Sequence, residues 1–327
     1  MNTLSPQGQS AGGPSIEPCD SLYLSPHRDD VALSCAARLL AERSRGERIL
    51  IVTLFGPGPG DGKGRDGGTA LPSVRLRHLG FAHRDLGWPE ARSRTPRYRS
   101  LSALAGGWDA TDQEYFTQAV RLLSDLGPRS RARQVYIPLA VGGHIDHRLT
   151  CEAGRAVFQS GHGRNVFLYE ERPDALVRGA VRMRLGQLGA RLPPAAAGAA
   201  ARTGLTRFLL RFHLGPASRG DLTGLVDRLR ATGMATRQWR LGRSWRPLKA
   251  LGPRLQPVVD AASPAALPSI RAVAAAGMPF DRMAARYAKQ LGTRGYAERY
   301  WLLLPSRDGD GEAGLPTEEG ETPPSGS

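Results

Sequence analysis

Short apolar runs alternate with stretches of helical periodicity in the first half of the chain. The apolar runs are SLYLSP (21–26), RILIVTLF (48–55), QVYIPLA (134–140) and NVFLYEE (165–171). Runs of this length and composition predict buried β-strands. Between them, residues 31–45, 113–126 and 149–159 carry apolar side chains at the spacing of one helix face, which predicts helices.

This alternation predicts the fold class and the place to look for a functional site. Buried strands separated by amphipathic helices are typical of an α/β protein with a doubly wound, Rossmann-like sheet that is mostly parallel and flanked by helices. Ligands of such proteins bind at the carboxyl ends of the strands. Polar residues that directly follow a predicted strand are therefore the first candidates for chemistry.

The composition changes along the chain and divides it into five parts. Residues 1–19 are rich in Ser, Gly and Pro, and residues 306–327 are acidic and rich in Pro and Gly, so we expect a disordered leader and a disordered tail. Residues 20–173 are predicted to form the catalytic α/β core, which residues 279–305 complete. The Arg- and Ala-rich residues 174–278 are predicted to form a helical cap, with contact to a membrane surface or an anionic polymer as the alternative.

Charge and cysteine content narrow the class of protein. The formal net charge of +15 favours an anionic substrate or surface, although arginines that are simply solvated would give the same value. The 3 cysteines show no C-x-x-C spacing, which fits a reducing compartment. No apolar run reaches the roughly 18–20 residues of a membrane span, and no secretory signal is evident. We therefore expect a cytoplasmic protein without a transmembrane segment, and nucleic acid is the least expected partner.

Two polar clusters follow predicted strands. His27, Asp29 and Asp30 come after the first strand, and His144 and His147 come after the strand at 134–140. Taken singly, the aspartates could cap a helix and the histidines could be ordinary hydrogen-bonded residues. Both clusters together, at the ligand-binding end of a parallel sheet, favour a metal site, because hydrolytic zinc sites use three His or carboxylate ligands and an open position.

These clusters carry a resemblance to a known family. The segment Ser25-Pro26-His27-Arg28-Asp29-Asp30-Val31 resembles the [AS]-H-P-D-D-E motif of the PIG-L/LmbE-like zinc-dependent N-deacetylases, and His144-Ile145-Asp146-His147 resembles their H-x-D-H motif. LYEERP (168–173) and RYAKQLG (286–292) are similar to two further family elements. The resemblance covers roughly residues 20–173 and 280–304.

The resemblance implies a role for each matching residue. The implied metal ligands are His27, Asp30 and His147, the implied general base is Asp29, the implied acid that assists the leaving amine is His144, and the implied orienting partner of a histidine is Asp146. The implied cofactor is Zn²⁺, although such sites also accept other divalent transition metals such as iron or cobalt. The implied substrate is a small N-acylated sugar or glycoconjugate.

The chain also departs from the family pattern. Arg28 replaces a proline, Val31 replaces a glutamate, and the Arg-rich helix that usually follows the second strand is shortened or missing. Arg75 or Arg77 could replace a substrate-binding arginine, and Glu90 falls near an acidic family residue that faces the substrate.

Three functions remain open from the sequence. The leading hypothesis is a metal-dependent hydrolase that removes an acetyl or acyl group from the amine of an amino sugar or sugar conjugate. An amidase acting on a thiol or secondary-metabolite conjugate would use the same site. A non-catalytic member of the family would instead bind an anionic polymer or a membrane surface through the basic segment.

Overall fold

A computed structural model describes most of the predicted core. The described residues are 17–56, 81–91, 108–159, 163–176, 180–190, 253–274 and 280–304. The predicted tail, most of the predicted leader and cap, and both Arg75 and Arg77 lie outside these ranges.

Seven strands of the described residues form a single mixed sheet. The strands are β1 (Ser21–Ser25), β2 (Ile49–Gly56), β3 (Ala82–Pro89), β4 (Gln134–Pro138), β5 (Asn165–Tyr169), β6 (Arg254–Ala262) and β7 (Tyr296–Leu304). Their order is β3-β2-β1-β4-β5-β7-β6. The first five strands in that order are parallel, whereas β7 pairs antiparallel with both β5 and β6. The carboxyl ends of β1, β2, β3 and β4 therefore lie side by side at one end of the sheet.

Helices cover both faces of this sheet. They are α1 (Asp30–Ser34), α2 (Ala36–Ser44), α3 (Ala110–Ser130), α4 (Ile145–Phe158), α5 (Ala180–Gln187), α6 (Leu267–Ala274) and α7 (Phe280–Gln290). Helices α3 and α4 pack in the apolar cluster that contains Leu22 and Leu24, and α2 and α6 pack in the cluster that contains Tyr23, while α7 contributes to both. Successive residues of β1 thus point to opposite faces, as a strand requires. The coarse prediction of an α/β sheet flanked by helices is confirmed.

Helix α4 approaches the sheet closely because of a glycine. A Cβ atom at Gly154 would lie 2.9 Å from both Ile137 Cγ2 and Leu24 Cδ1, which is too short for a real contact. The absent side chain lets α4 settle against β1 and β4, and this contact brings the first turn of α4 toward the end of β1.

The structure differs from the predicted pattern in several places, and strand β3 is one that the sequence did not predict. The predicted helix 31–45 is interrupted at Cys35, where α1 ends and α2 begins. Helix α4 begins at Ile145 rather than at residue 149, so the H-x-D-H segment opens the helix. Strand β6 lies within residues 174–278, so this part of the predicted helical cap is instead an edge strand of the sheet.

Candidate metal centre and active site

The first polar cluster lies on the turn that joins β1 to α1. Ser25 shapes this turn, because its hydroxyl accepts a hydrogen bond from Val31 N (3.3 Å) and donates one to the His27 carbonyl (2.5 Å). The backbone N–H of His27 donates to Asp30 Oδ2 at 2.8 Å. The turn therefore brings the His27 and Asp30 side chains together.

The second polar cluster opens helix α4. His144 is the N-cap residue, and its Nδ1 accepts a hydrogen bond from Asp146 N at 3.3 Å. The preceding loop bends sharply, since Ala140, Gly142 and Gly143 all have positive φ angles. A side chain at Gly142 would collide with the carboxylate of Asp174, so this position requires glycine.

Three of the predicted site residues place one donor atom each at the corners of a small triangle. His27 Nδ1 lies 3.2 Å from His147 Nε2, and each of these nitrogens lies 3.3 Å from Asp30 Oδ2. The side chains of Asp30 and His147 are almost completely buried, and that of His27 is 20% exposed. These are the residues that the family resemblance implies as metal ligands.

The size of the triangle fits a tetrahedral zinc ion. Zn–N and Zn–O bonds of about 2.0–2.1 Å place neighbouring ligands of a tetrahedron about 3.3 Å apart. The three observed separations agree with that value. His144 belongs to a wider group, because donor atoms of His27, His144 and His147 lie within 4.8 Å of one another. The set that contains Asp30 therefore fits a metal ion better than the three-histidine set.

The charges of the triangle stabilise each other. Burial alone would raise the pKa of Asp30, but the imidazoles of His147 and His27 lower it to about 2. Burial alone would lower the pKa of His147, but the Asp30 charge and the hydrogen bond with Glu171 raise it to about 9. The pKa of His27 also lies well above its usual value, because contacts with Asp146 and Asp30 outweigh burial. Such a site attracts positive charge, which a metal ion supplies.

Asp29 lies next to the triangle and is not used as a helix cap. It occupies the N-cap position of α1, but its side chain makes no capping hydrogen bond. Burial and the neighbouring Asp30 charge raise the pKa of Asp29. A carboxylate whose pKa is shifted toward the working pH is suited to taking a proton from water.

Asp146 connects the second cluster to His27 and to the end of β3. Its Oδ2 lies 3.2 Å from His27 Nε2 and accepts a hydrogen bond from Ala91 N at 2.9 Å. The partner of Asp146 is thus His27, which belongs to the other cluster. Half-buried Glu90 directly precedes Ala91, so its backbone borders the site.

Glu171 had no predicted role, and the structure places it against His147. Glu171 Oε1 lies 3.3 Å from His147 Nδ1 and accepts a hydrogen bond from Ala140 N (2.6 Å), while Oε2 accepts one from Val141 N (3.1 Å). Because His147 Nε2 belongs to the triangle, its Nδ1 carries the proton that Glu171 accepts. The only signal in the sequence was the position of Glu171 in LYEERP, after a predicted strand.

We expect the Glu171→Gln variant to bind Zn²⁺ roughly 10- to 100-fold more weakly. The amide cannot accept hydrogen bonds from Ala140, Val141 and His147 at the same time, so the ring loses its orientation. Titration against a competing chelator measures the change.

The matched control for this variant is Glu170→Gln, because Glu170 is equally buried but bonds Tyr287, Arg299 and Trp301. This control should lower the melting temperature with little change in metal affinity. An unchanged zinc affinity in Glu171→Gln would show that Glu171 does not orient His147.

The known proteins that are similar to this chain and are described below are all named as deacetylases. No family model matches the chain. The chain is 28% identical to a 2'-N-acetylparomamine deacetylase of Niallia circulans, over 46% of this chain and 66% of that protein. It is 34% identical to a 2'-N-acetylparomamine deacetylase of Streptomyces fradiae, over 49% of this chain and 60% of that protein. The chain thus spans less than two thirds of the length of either relative.

The fold also has a counterpart among solved structures. A deacetylase of teicoplanin biosynthesis, solved in complex with teicoplanin, matches with a TM-score of 0.52 at 17% identity, over 88% of this chain and 99% of that chain. In the part of the chain that the structure describes, no helix has the length and apolar character needed to cross a membrane. The chain is therefore similar in sequence to two acetylparomamine deacetylases, and it shares the fold of a deacetylase that was solved with teicoplanin.

Proposed function

We propose that this protein is a metal-dependent hydrolase that removes an acetyl group from the amine of an amino sugar conjugate. The observation that carries the proposal is the triangle formed by His27 Nδ1, Asp30 Oδ2 and His147 Nε2, with Asp29 beside it. The spacing of these atoms suits Zn²⁺, and Fe²⁺ or Co²⁺ could occupy the same ligands.

His27, Asp30 and His147 would hold the metal ion. When bound, the ion supplies Lewis acidity, which lowers the pKa of water and polarises the amide carbonyl. Asp146 and Glu171 would fix the orientations of His27 and His147, because each contacts the ring nitrogen that faces away from the triangle.

Asp29 and His144 would move the protons. Asp29 takes a proton from the water that attacks the acetyl carbonyl, and the amine must gain a proton as the C–N bond breaks. Since His144 Nδ1 accepts the Asp146 N–H, neutral His144 carries its proton on Nε2. Its Nε2–H would donate a hydrogen bond that stabilises the developing oxyanion and assists the departure of the amine. The proton that Asp29 took from water would pass to the amine nitrogen as the C–N bond breaks, and the products are the free amine and acetate.

The relatives support the substrate class. Two are named 2'-N-acetylparomamine deacetylase, and the structural neighbour is a deacetylase of teicoplanin biosynthesis that was solved with teicoplanin. These names share the removal of an acetyl group, and an N-acetylated amino sugar within a larger conjugate is a substrate for that chemistry. We therefore propose a glycoside of this kind as the substrate.

Elemental analysis combined with an amine-release assay tests the proposal. The protein should contain one equivalent of a divalent metal per chain and release amine from members of a panel of N-acetylated amino sugars and glycosides, including 2'-N-acetylparomamine. A chelator should abolish the release, and added Zn²⁺ should restore it. Full turnover in metal-free protein would refute the proposal. Absence of both metal and turnover, together with salt-sensitive binding to anionic polymers, would favour the non-catalytic hypothesis.

A further inference from the structure

Arg28 lies between the proposed ligand His27 and the proposed base Asp29, yet its side chain extends to a different strand. Its Nε donates a hydrogen bond to Asp85 Oδ2 on β3 at 2.7 Å. The other oxygen of Asp85 accepts a hydrogen bond from Gly87 N at 2.9 Å. The carboxylate is therefore held by its own strand, and it fixes the guanidinium in turn.

The guanidinium also packs against the end of β2. A Cβ atom added to Gly56 would lie 3.4 Å from Arg28 Nε and 3.5 Å from both Cζ and Nη2. The Arg28–Asp85 pair thus runs from the carboxyl end of β1, past Gly56 at the carboxyl end of β2, to the middle of β3, where Asp85 lies level with Ser25, the last residue of β1. Ligands of parallel sheets bind at this carboxyl end of the strands.

Residues 85–91 connect the pair to the metal triangle. Residues 85–91 begin at the contact with Arg28 and end at Ala91, whose N–H donates to Asp146, the partner of His27. One short segment therefore contacts Arg28 at one end and the neighbour of the metal ligand at the other. Arg28 is thus linked to the triangle in two ways, along the chain through His27 and through residues 85–91.

The donors of Arg28 are only partly used. A guanidinium has five N–H groups, and among the described residues only Nε–H has an acceptor. The Arg28 side chain is 22% exposed, so its Nη groups can reach a ligand. Because Asp85 already balances the charge, the Nη groups do not need an anion. They suit neutral oxygen acceptors, and the hydroxyl groups of a sugar provide these.

We propose that the Arg28–Asp85 pair is a specificity-determining subsite that hydrogen-bonds sugar hydroxyl groups next to the acetylated amine. The inference rests on the proposed function and assigns a role to the position where the chain departs from the family motif. Arg28 donates hydrogen bonds to the sugar hydroxyl groups, and Asp85 positions Arg28.

The Arg28→Met variant tests the inference, because methionine keeps much of the length of the side chain and removes its hydrogen-bond donors. Its activity is compared on two substrates that differ in their hydroxyl groups. The first probe is an N-acetylated amino sugar that the wild type turns over, and the second is N-acetylcyclohexylamine, whose ring has no hydroxyl groups. We expect kcat/KM for the sugar to fall roughly 10- to 100-fold, the loss typical of hydrogen bonds to a charged group. The rate with the cyclohexyl amide and the metal content should stay unchanged. Arg45→Met, which removes an exposed ion pair with Glu47, is the matched control.

A binding measurement separates this inference from the proposed function. Calorimetry measures the affinity of each variant for the free amino sugar, which needs no turnover. If no amide is hydrolysed but Arg28→Met still weakens sugar binding, the subsite stands and the proposed reaction fails. If amides are hydrolysed but Arg28→Met changes both probes equally, or leaves sugar binding unchanged, the subsite is refuted. Asp85→Asn should weaken sugar binding less than Arg28→Met, because it loosens the guanidinium without removing it.

Discussion

Replacing Asp29 with asparagine is expected to lower kcat by roughly 10²- to 10⁴-fold and to leave the metal bound, the usual loss when a general base is removed. Asparagine has nearly the same shape but cannot take a proton from water. The Asp29 side chain makes no capping hydrogen bond in α1, so the fold does not depend on it. Elemental analysis and steady-state kinetics on the same preparation measure both quantities.

Asp125→Asn is a suitable control for the Asp29 variant, because Asp125 is an exposed aspartate on α3 that pairs with Arg129. It should match the wild type in activity and in metal content. Retention of most of the activity in Asp29→Asn would exclude Asp29 as the base. Loss of the metal together with the activity would instead make Asp29 a ligand.

Replacing His147 with alanine is expected to abolish both metal binding and turnover. The substitution removes one corner of the triangle and leaves the buried carboxylates of Asp30 and Glu171 without their shared imidazole. Zinc affinity should therefore fall by more than the roughly 100-fold upper limit for an orienting residue. Chelator competition measures the affinity, and thermal unfolding shows whether the variant still folds.

Comparison with His144→Ala makes this prediction specific. If Asp30 completes the ligand set, His144→Ala keeps the metal and loses turnover. If the three histidines hold the metal, His144→Ala loses it as His147→Ala does. His83→Ala is a control outside both sets, because His83 bonds Thr53 between β2 and β3.

The four strands that were predicted from the sequence are those whose residues form apolar runs. Strands β1, β2, β4 and β5 are buried on both faces, so their sequences are continuously apolar. Strand β3, AHRDLGWP, is largely half-buried and carries polar residues, and edge strand β6 contains Pro257. In β7 the polar pair Glu298 and Arg299 interrupts the apolar pattern, because both side chains bond charged partners elsewhere in the fold.

Site residues could be predicted from the sequence where they directly follow a predicted strand. His27, Asp30 and His147 follow strands of a parallel sheet, so a sequence that predicts the strands also predicts their convergence. The contacts of Glu171 with the loop at Ala140 and of Arg28 with Asp85 depend on loop geometry and on a strand without an apolar signature. No local pattern encodes such contacts.

The turn after β5 ties distant parts of the chain to the candidate site. Glu171 bonds the loop before α4, while its neighbour Glu170 bonds Tyr287, Arg299 and Trp301. On the other side, Arg172 is fully buried and donates to the Ser34 carbonyl, the Tyr296 hydroxyl and Glu298.

A shortened protein that stops before α7 would contain every proposed ligand and proton carrier. It would nevertheless leave buried Glu170 without Tyr287, Arg299 and Trp301, and buried Arg172 without Tyr296 and Glu298. A buried charge that loses its partners strongly destabilises a fold. Because Glu171 stands between these two residues, the ring of His147 would lose its anchor at the same time. The smallest unit that keeps the candidate site intact therefore includes a C-terminal segment that contributes none of the residues of that site.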